Sequence, residues 1–126
     1  MKRKVYNGKE VKSSGPYSHA VDAGDTIYLS GQTGYNGASY DGEKYSIKKQ
    51  TELSFKHLED VMSQAGVSYD DVVKVNVFLT SMKYFTEMNA IYETHFNAPF
   101  PARTCVAVYE LPLGANVEIE FIIKRK

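Results

Sequence analysis

Two runs near the C-terminal end of this 126-residue chain alternate apolar residues with others at a period of two. They are Pro101-Ala102-Arg103-Thr104-Cys105-Val106-Ala107-Val108 and Val117-Glu118-Ile119-Glu120-Phe121. That period marks strands, because successive side chains of an extended backbone point to opposite faces. In the second run Val117, Ile119, Phe121 and Ile123 share one face, and Glu118, Glu120 and Lys124 the other. In the first, Thr104, Val106 and Val108 lie opposite Arg103, Cys105, Ala107 and Tyr109. A sheet packs its apolar side on helices. The alternation therefore predicts Val106, Val108, Ile119 and Phe121 beneath helices, with Arg103, Cys105, Glu118 and Glu120 on the helix-free face. Charged strand residues are ordinarily just a solvated face. Here, however, Arg103 follows a Pro99-x-Pro101 bend that fixes where the strand begins, and the only cysteine lies two residues further on.

From the start, Val5-Tyr6 reads as a first strand closed by the turn dipeptide Asn7-Gly8. Tyr17 to Asp22 and Thr26 to Ser30 form two more, joined as a hairpin through Ala23-Gly24-Asp25. Gly31 to Glu43 holds four glycines and two tyrosines without periodicity and reads as a long loop, a kind that is often functional in small domains. Ser46 caps a helix running to Ala65, with Phe55, Leu58, Val61, Met62 and Ala65 at helical spacing and Gly66 just past its end. Val73, Val75, Val77 and Leu79 alternate as a strand. Thr80 or Ser81 caps a second helix with Phe85, Met88, Ile91, Tyr92 and Phe96 on one face, stopped by Pro99. The order β-β-β-α-β-α-β-β predicts an α+β fold. Its single mixed sheet of about six strands carries two helices on one face, as one domain spanning 1–126. The uncovered face calls for a second subunit.

Fifteen basic and fifteen acidic residues give zero formal net charge, which argues against a nucleic-acid partner that must be bound by releasing counterions. A single cysteine forms no internal disulfide and suits a reducing compartment. The basic start, Met1 to Tyr6, leads into no apolar stretch and does not read as a signal peptide. No run has the length of a membrane span, so the expected location is cytoplasmic. His19, His57 and His95 have no metal-ligand spacing, and Gly31-Gln32-Thr33-Gly34 does not open a helix as a phosphate loop would. No metal and no cofactor are expected.

Arg103 suits a carboxylate ligand through its planar fork, the alternative being a structural ion pair with a neighbour's Glu118 or Glu120. Glu118 suits a general base or water-orienting group, and Glu120 on the same face competes for that role. Cys105 has no basic neighbour in sequence and reads as a site wall rather than a nucleophile. Ser30 and Gly31 end a strand, where freed backbone N–H groups bind anions. Fifteen positions separate Arg103 from Glu118, so a site using both is more easily built from two subunits.

Pro101-Ala102-Arg103-Thr104-Cys105-Val106, then Leu111-Pro112 and Val117-Glu118-Ile119, resembles the C-terminal signature of the Rid (reactive intermediate deaminase, YjgF) family. Gly15-Pro16-Tyr17-Ser18, Leu29-Ser30-Gly31-Gln32, and Ala65-Gly66 with Asp71-Val72-Val73-Lys74 resemble further family motifs in order. The resemblance implies a chorismate-mutase-like fold, a homotrimer and a cleft at each subunit interface. It implies hydrolysis of small 2-imino or enamine acids such as 2-aminoacrylate and 2-iminobutanoate. By the same resemblance Arg103, Glu118 (chosen over Glu120) and Tyr17 are catalytic, while Ser30, Gly31, Asn89 and Cys105 bind substrate. A metabolite-binding regulator without turnover and a ribonuclease or translation inhibitor are the competing functions. Thr33 to Tyr40 departs from the family's proline-containing continuation, and His57 stands where an asparagine is common. The first departure leaves the preferred imino acid open.

Overall fold

The computed structural model describes residues 2–35, 37 and 44–125; most of the loop expected between Gly31 and Glu43 lies outside them. The strands are β1 (Lys4–Tyr6), β2 (Ala20–Asp22), β3 (Thr26–Leu29), β4 (Val72–Leu79), β5 (Ala102–Ala107) and β6 (Val117–Lys124). The helices are α1 (Ile47–Ala65) and α2 (Phe85–Tyr92). The strands form one sheet in the order β1-β2-β3-β6-β4-β5. Among the described residues only β4 and β5 pair in parallel, with α2 as their crossover, and the other pairings are antiparallel. The expected α+β architecture, two helices on one face of a mixed six-stranded sheet, is the one observed.

Local chemistry sets the helix ends. The Ser46 hydroxyl accepts the Lys49 N–H at 3.0 Å, and Gly66 closes α1 with φ of 72°, a left-handed position that suits glycine. α2 is shorter than expected and ends at Tyr92, well before Pro99. The Thr94 hydroxyl and the His95 ring both bond the Ile91 carbonyl, at 2.7 and 3.0 Å, and the chain turns away there.

Between sheet and helices lies the core, with Ile27, Phe55, Leu58, Val61, Val75, Val77, Leu79, Met88, Val117, Ile119 and Ile123 all fully buried. Phe55 is its hub. His95 stacks on it at 4.1 Å, and Tyr92, Phe96 and Phe121 surround it with ring centroids 6.0–6.2 Å away.

Two strand expectations change. Val73 does not belong to the core row of β4: the register steps by one residue between Val72 and Lys74, a bulge that leaves Val73 exposed while Val72 is buried. The faces of β5 are the reverse of those expected. Arg103 lies beside Val75 and Cys105 beside Val77, both core residues, whereas Thr104 and Val106 lie beside Asn76 and Phe78. Val106 is 41% exposed on the helix-free face. Hydrophobicity misassigns this edge strand because the helix-free face is partly apolar too, with Val5 and Tyr28 also exposed.

Replacing Phe55 by Ala should cost about 3–5 kcal/mol of stability, the range for emptying a large aromatic site in a packed core. Urea unfolding checks this, and a loss under about 1 kcal/mol would contradict the hub role.

Candidate functional site

Opposite faces of the sheet divide the expected site residues into two groups within one chain. The Val75–Arg103 register, with Val75 on the core side, puts Arg103 on the helix face. The Phe78–Glu118 register, with Val117 and Ile119 buried, puts Glu118 on the open face. The expectation that Arg103, Cys105 and Glu118 share a face is therefore corrected: only Glu118 and Glu120 lie on the helix-free side.

Glu118 belongs to a cleft of about 230 Å³ lined also by Lys12, Tyr17, Ser30, Gly31 and Gln32. The segment after β3 is stitched to β6 by two backbone bonds, Gln32 N–H to the Ile119 carbonyl at 2.8 Å and the reverse at 3.0 Å. That pairing lays Gly31 against the Glu118 side chain. A Cβ at Gly31 would stand 3.0 Å from both Glu118 Cγ and Cδ, so glycine is what lets the carboxylate sit there. Among the described residues the Gly31 N–H has no acceptor. Ser30 differs from expectation: its N–H goes to the His19 carbonyl at 2.9 Å and its hydroxyl to the Ser18 carbonyl at 2.7 Å. Of the Ser30-Gly31 pair among the described residues, Gly31 is the one with its N–H left over for a ligand. Tyr17 is 44% exposed at the cleft, its hydroxyl 3.4 Å from both Ser14 N and Oγ.

Burial pushes the Glu118 carboxyl above the ordinary glutamate range, and the negative charge of Glu120 adds to the rise. Glu120 is anchored differently, accepting a bond from Asn76 Nδ2 at 3.0 Å. The two glutamates that sequence alone could not rank thus have distinct surroundings, with Glu118 in the cleft and Glu120 tied to β4.

On the helix side, Arg103 lines a second cleft of about 400 Å³ with Asn89, Tyr92, Glu93, Phe100 and Pro101. Its Nη1 donates to Asn89 Oδ1 at 2.6 Å, and its guanidinium lies 4.5 Å over the Tyr92 ring and 5.4 Å over the Phe85 ring. Asn89 and Arg103 are brought together on the helix side. Cys105 lines neither cleft. It packs half-buried against the core, and burial raises its thiol pKa against the opposing pull of Arg103, which keeps it protonated.

Sequence reading missed the Arg103 cage, although Phe85 and Tyr92 were assigned to the inner face of α2. It also missed Lys12, Gln32, Thr33 and Tyr35, for which no periodicity gives a signal. Among the described residues no group of three or more His, Cys, Asp or Glu is placed to hold a metal ion, and no helix is long and apolar enough to cross a membrane.

Because Glu120 helps to raise the Glu118 pKa, Glu120→Gln should lower it. Glu118 would then hold its charge to a lower pH than in the parent protein. Carboxyl-carbon NMR titration of both proteins reads this directly, and an unchanged Glu118 midpoint would contradict the coupling. Gly31→Ala should leave the protein folded but displace the Glu118 carboxylate, seen as a shifted titration midpoint for the same carboxyl.

Residues 7–124 match the family described as Endoribonuclease L-PSP. A protein of Dermatophagoides farinae named 2-iminobutanoate/2-iminopropanoate deaminase is 41% identical over 109 residues, covering 86% of this chain and 85% of that one. A Saccharomyces cerevisiae relative named Protein MMF1, mitochondrial, is 39% identical over 110 residues, covering 87% of this chain and 75% of its own. The crystal structure of RidA from an Antarctic Psychrobacter superposes with a TM-score of 0.85 at 34% identity, covering 98% of this chain and all of that one. With its open six-stranded sheet, its paired helices and a match along nearly its whole length, the chain belongs to the Rid family.

Proposed function

We propose that this protein, as one Rid-type domain over residues 1–126, hydrolyses small 2-imino and enamine acids to 2-keto acids and ammonia. The observation that carries the reading is the Gly31–Glu118 pair: a carboxyl of raised pKa packed against the Gly31 backbone in an open cleft. The deaminase name of the mite relative supports the substrate class.

In this reading Arg103 binds the substrate carboxylate with its fork, placing the C=N carbon. Glu118 and Tyr17 orient a water. Its oxygen bonds to the carbon of the protonated imine as one water proton passes to Glu118 and the C=N π pair moves to nitrogen. Glu118 returns that proton to the nitrogen of the resulting carbinolamine, and the C–N bond breaks as the C=O bond forms, the hydroxyl proton passing back to Glu118 and ammonia leaving. An enamine first takes a proton on carbon to become the imine. The Gly31 N–H orients the nitrogen. These steps call on no cofactor.

Since Arg103 and Glu118 lie on opposite faces of one sheet, a second copy must supply one of them. A homotrimer with clefts between subunits meets that need, and the exposed Val5, Tyr28 and Val106 of the open face are suited to lie at its contacts. A cytoplasmic site of action belongs to the same reading, supported by the single free cysteine.

Keto-acid release from freshly generated 2-aminoacrylate, with and without protein, is the primary test. Arg103→Ala should abolish binding and turnover together. Glu118→Gln should lower kcat on the order of tenfold to a hundredfold while leaving KM nearly unchanged, because positioned acid–base groups act on the chemical step. Tight binding of the acid without release of keto acid would replace the enzyme by a metabolite-binding regulator. Light scattering at micromolar concentration should give three times the chain mass, and a monomer would refute the shared cleft.

A further inference from the structure

His19 is almost wholly buried at 3% exposure, yet every polar atom of it is in use. Its Nδ1 accepts the Gly8 N–H at 3.0 Å, so the ring proton sits on Nε2, which stands 2.9 Å from Ser13 Oγ and donates to it. Its backbone N–H goes to Asn7 Oδ1 at 3.0 Å and its carbonyl receives Ser30 N–H at 2.9 Å. One residue thus fastens the turn at Asn7-Gly8, the segment at Ser13 and the start of the Ser30-Gly31 wall. The Tyr17 ring tilts against it at 6.2 Å. Lys12, Ser14, Tyr17 and Ser30, all adjoining these attachments, line the Glu118 cleft.

We propose that His19 is a positioning residue of the Glu118 cleft, its neutral ring holding the Ser13–Tyr17 wall in register with Ser30 and Gly31. In its activity arm the proposal rests on the deaminase reading above.

The segment fastened here has little room to settle elsewhere. A Cβ on Gly8 would fall 2.4 Å from Val11 Cγ1 and 2.6 Å from Asp60 Oδ2. Asp60, on α1, accepts the N–H groups of Lys9, Glu10 and Val11 at 2.8–3.0 Å. The groups facing His19 are Asp60 and His57 of α1 and the Tyr17 phenol. Burial lowers the His19 pKa more than Asp60 raises it, so the ring stays neutral to a pH below the ordinary histidine range. His57 is wired the other way. Its Nδ1 faces the Thr33 carbonyl at 3.0 Å and must carry the proton. Protonating His57 keeps that bond, whereas protonating His19 removes the acceptor for Gly8 and opposes two N–H groups.

Long-range ¹⁵N–¹H NMR of the imidazoles reads both tautomers. His19 should be in the Nε2–H form and titrate below ordinary histidine, with His57 in the Nδ1–H form. His19 in the Nδ1–H form would overturn the proposal. Ser13→Ala, a mild change, should shift the Tyr17 and Ser30 amide resonances, and unmoved resonances would overturn it as well. In the trimeric enzyme, Ser13→Ala and His19→Gln should lower kcat about tenfold with KM held within about twofold, since a displaced wall misplaces the water rather than the Arg103 anchor. His19→Asn, which keeps an acceptor for Gly8, should be milder than His19→Ala. Wild-type kcat in both Ser13→Ala and His19→Gln would refute the positioning role. A parent protein that releases no keto acid would instead sink the deaminase reading, while the tautomers and the Tyr17 and Ser30 shifts decide this inference on their own.

Discussion

Strand β6 constrains everything around it. It lies inside the sheet between β3 and β4, and Val117, Ile119, Phe121 and Ile123 are all driven into the core. Because side chains alternate strictly along a strand, that burial leaves Glu118 and Glu120 only the open face. The same strand then captures the chain beyond β3 through the paired bonds of Gln32 and Ile119, which brings Gly31 onto Glu118. The cleft is therefore a by-product of core packing. A slip of one residue in β6 would bury both carboxylates and expose four core residues, which is why the register is so strongly determined.

A one-sided sheet has a further consequence for the site. Helices cover the face that holds Arg103, and the face that holds Glu118 carries none. Arg103 is accommodated among helix residues because Tyr92 and Phe85 present their ring faces and Asn89 its carbonyl. A guanidinium under a helix would otherwise be poorly solvated. In the proposed trimer the two halves meet only across a subunit boundary, so folding of one chain and completion of the site are separate events.

Where residue pattern and physical cause coincided, the sequence was legible. The period of β6, the Ser46 cap and the Gly66 terminus of α1 all emerged as expected, as did the hairpin of β2 and β3. Reading failed where two surfaces of similar character competed. Val106 and Arg103 exchanged their expected faces because the open face of the sheet is itself partly apolar, so a valine there carries little information about which side is inside. Pro99 predicts the end of α2, but side-chain competition for the Ile91 carbonyl ends the helix sooner. Of the candidate site, the motifs named Tyr17, Ser30, Gly31, Asn89, Arg103 and Glu118, which line clefts, but not their partition between two clefts, since alternation fixes faces within a strand but not between strands. His19 was passed over because a lone histidine in sequence shows nothing of the three segments it joins.

The cage around Arg103 also bears on how an anion would be greeted. An arginine free in solvent samples many rotamers and loses that freedom on gripping a ligand, at a cost of roughly 0.5–1.5 kcal/mol for an immobilised side chain. Here two aromatic faces and one 2.6 Å hydrogen bond narrow the choice within the folded chain. A guanidinium held in this way would meet a carboxylate with most of its disorder already gone, since the entropy that a floppy cation would forfeit on binding has been settled during folding.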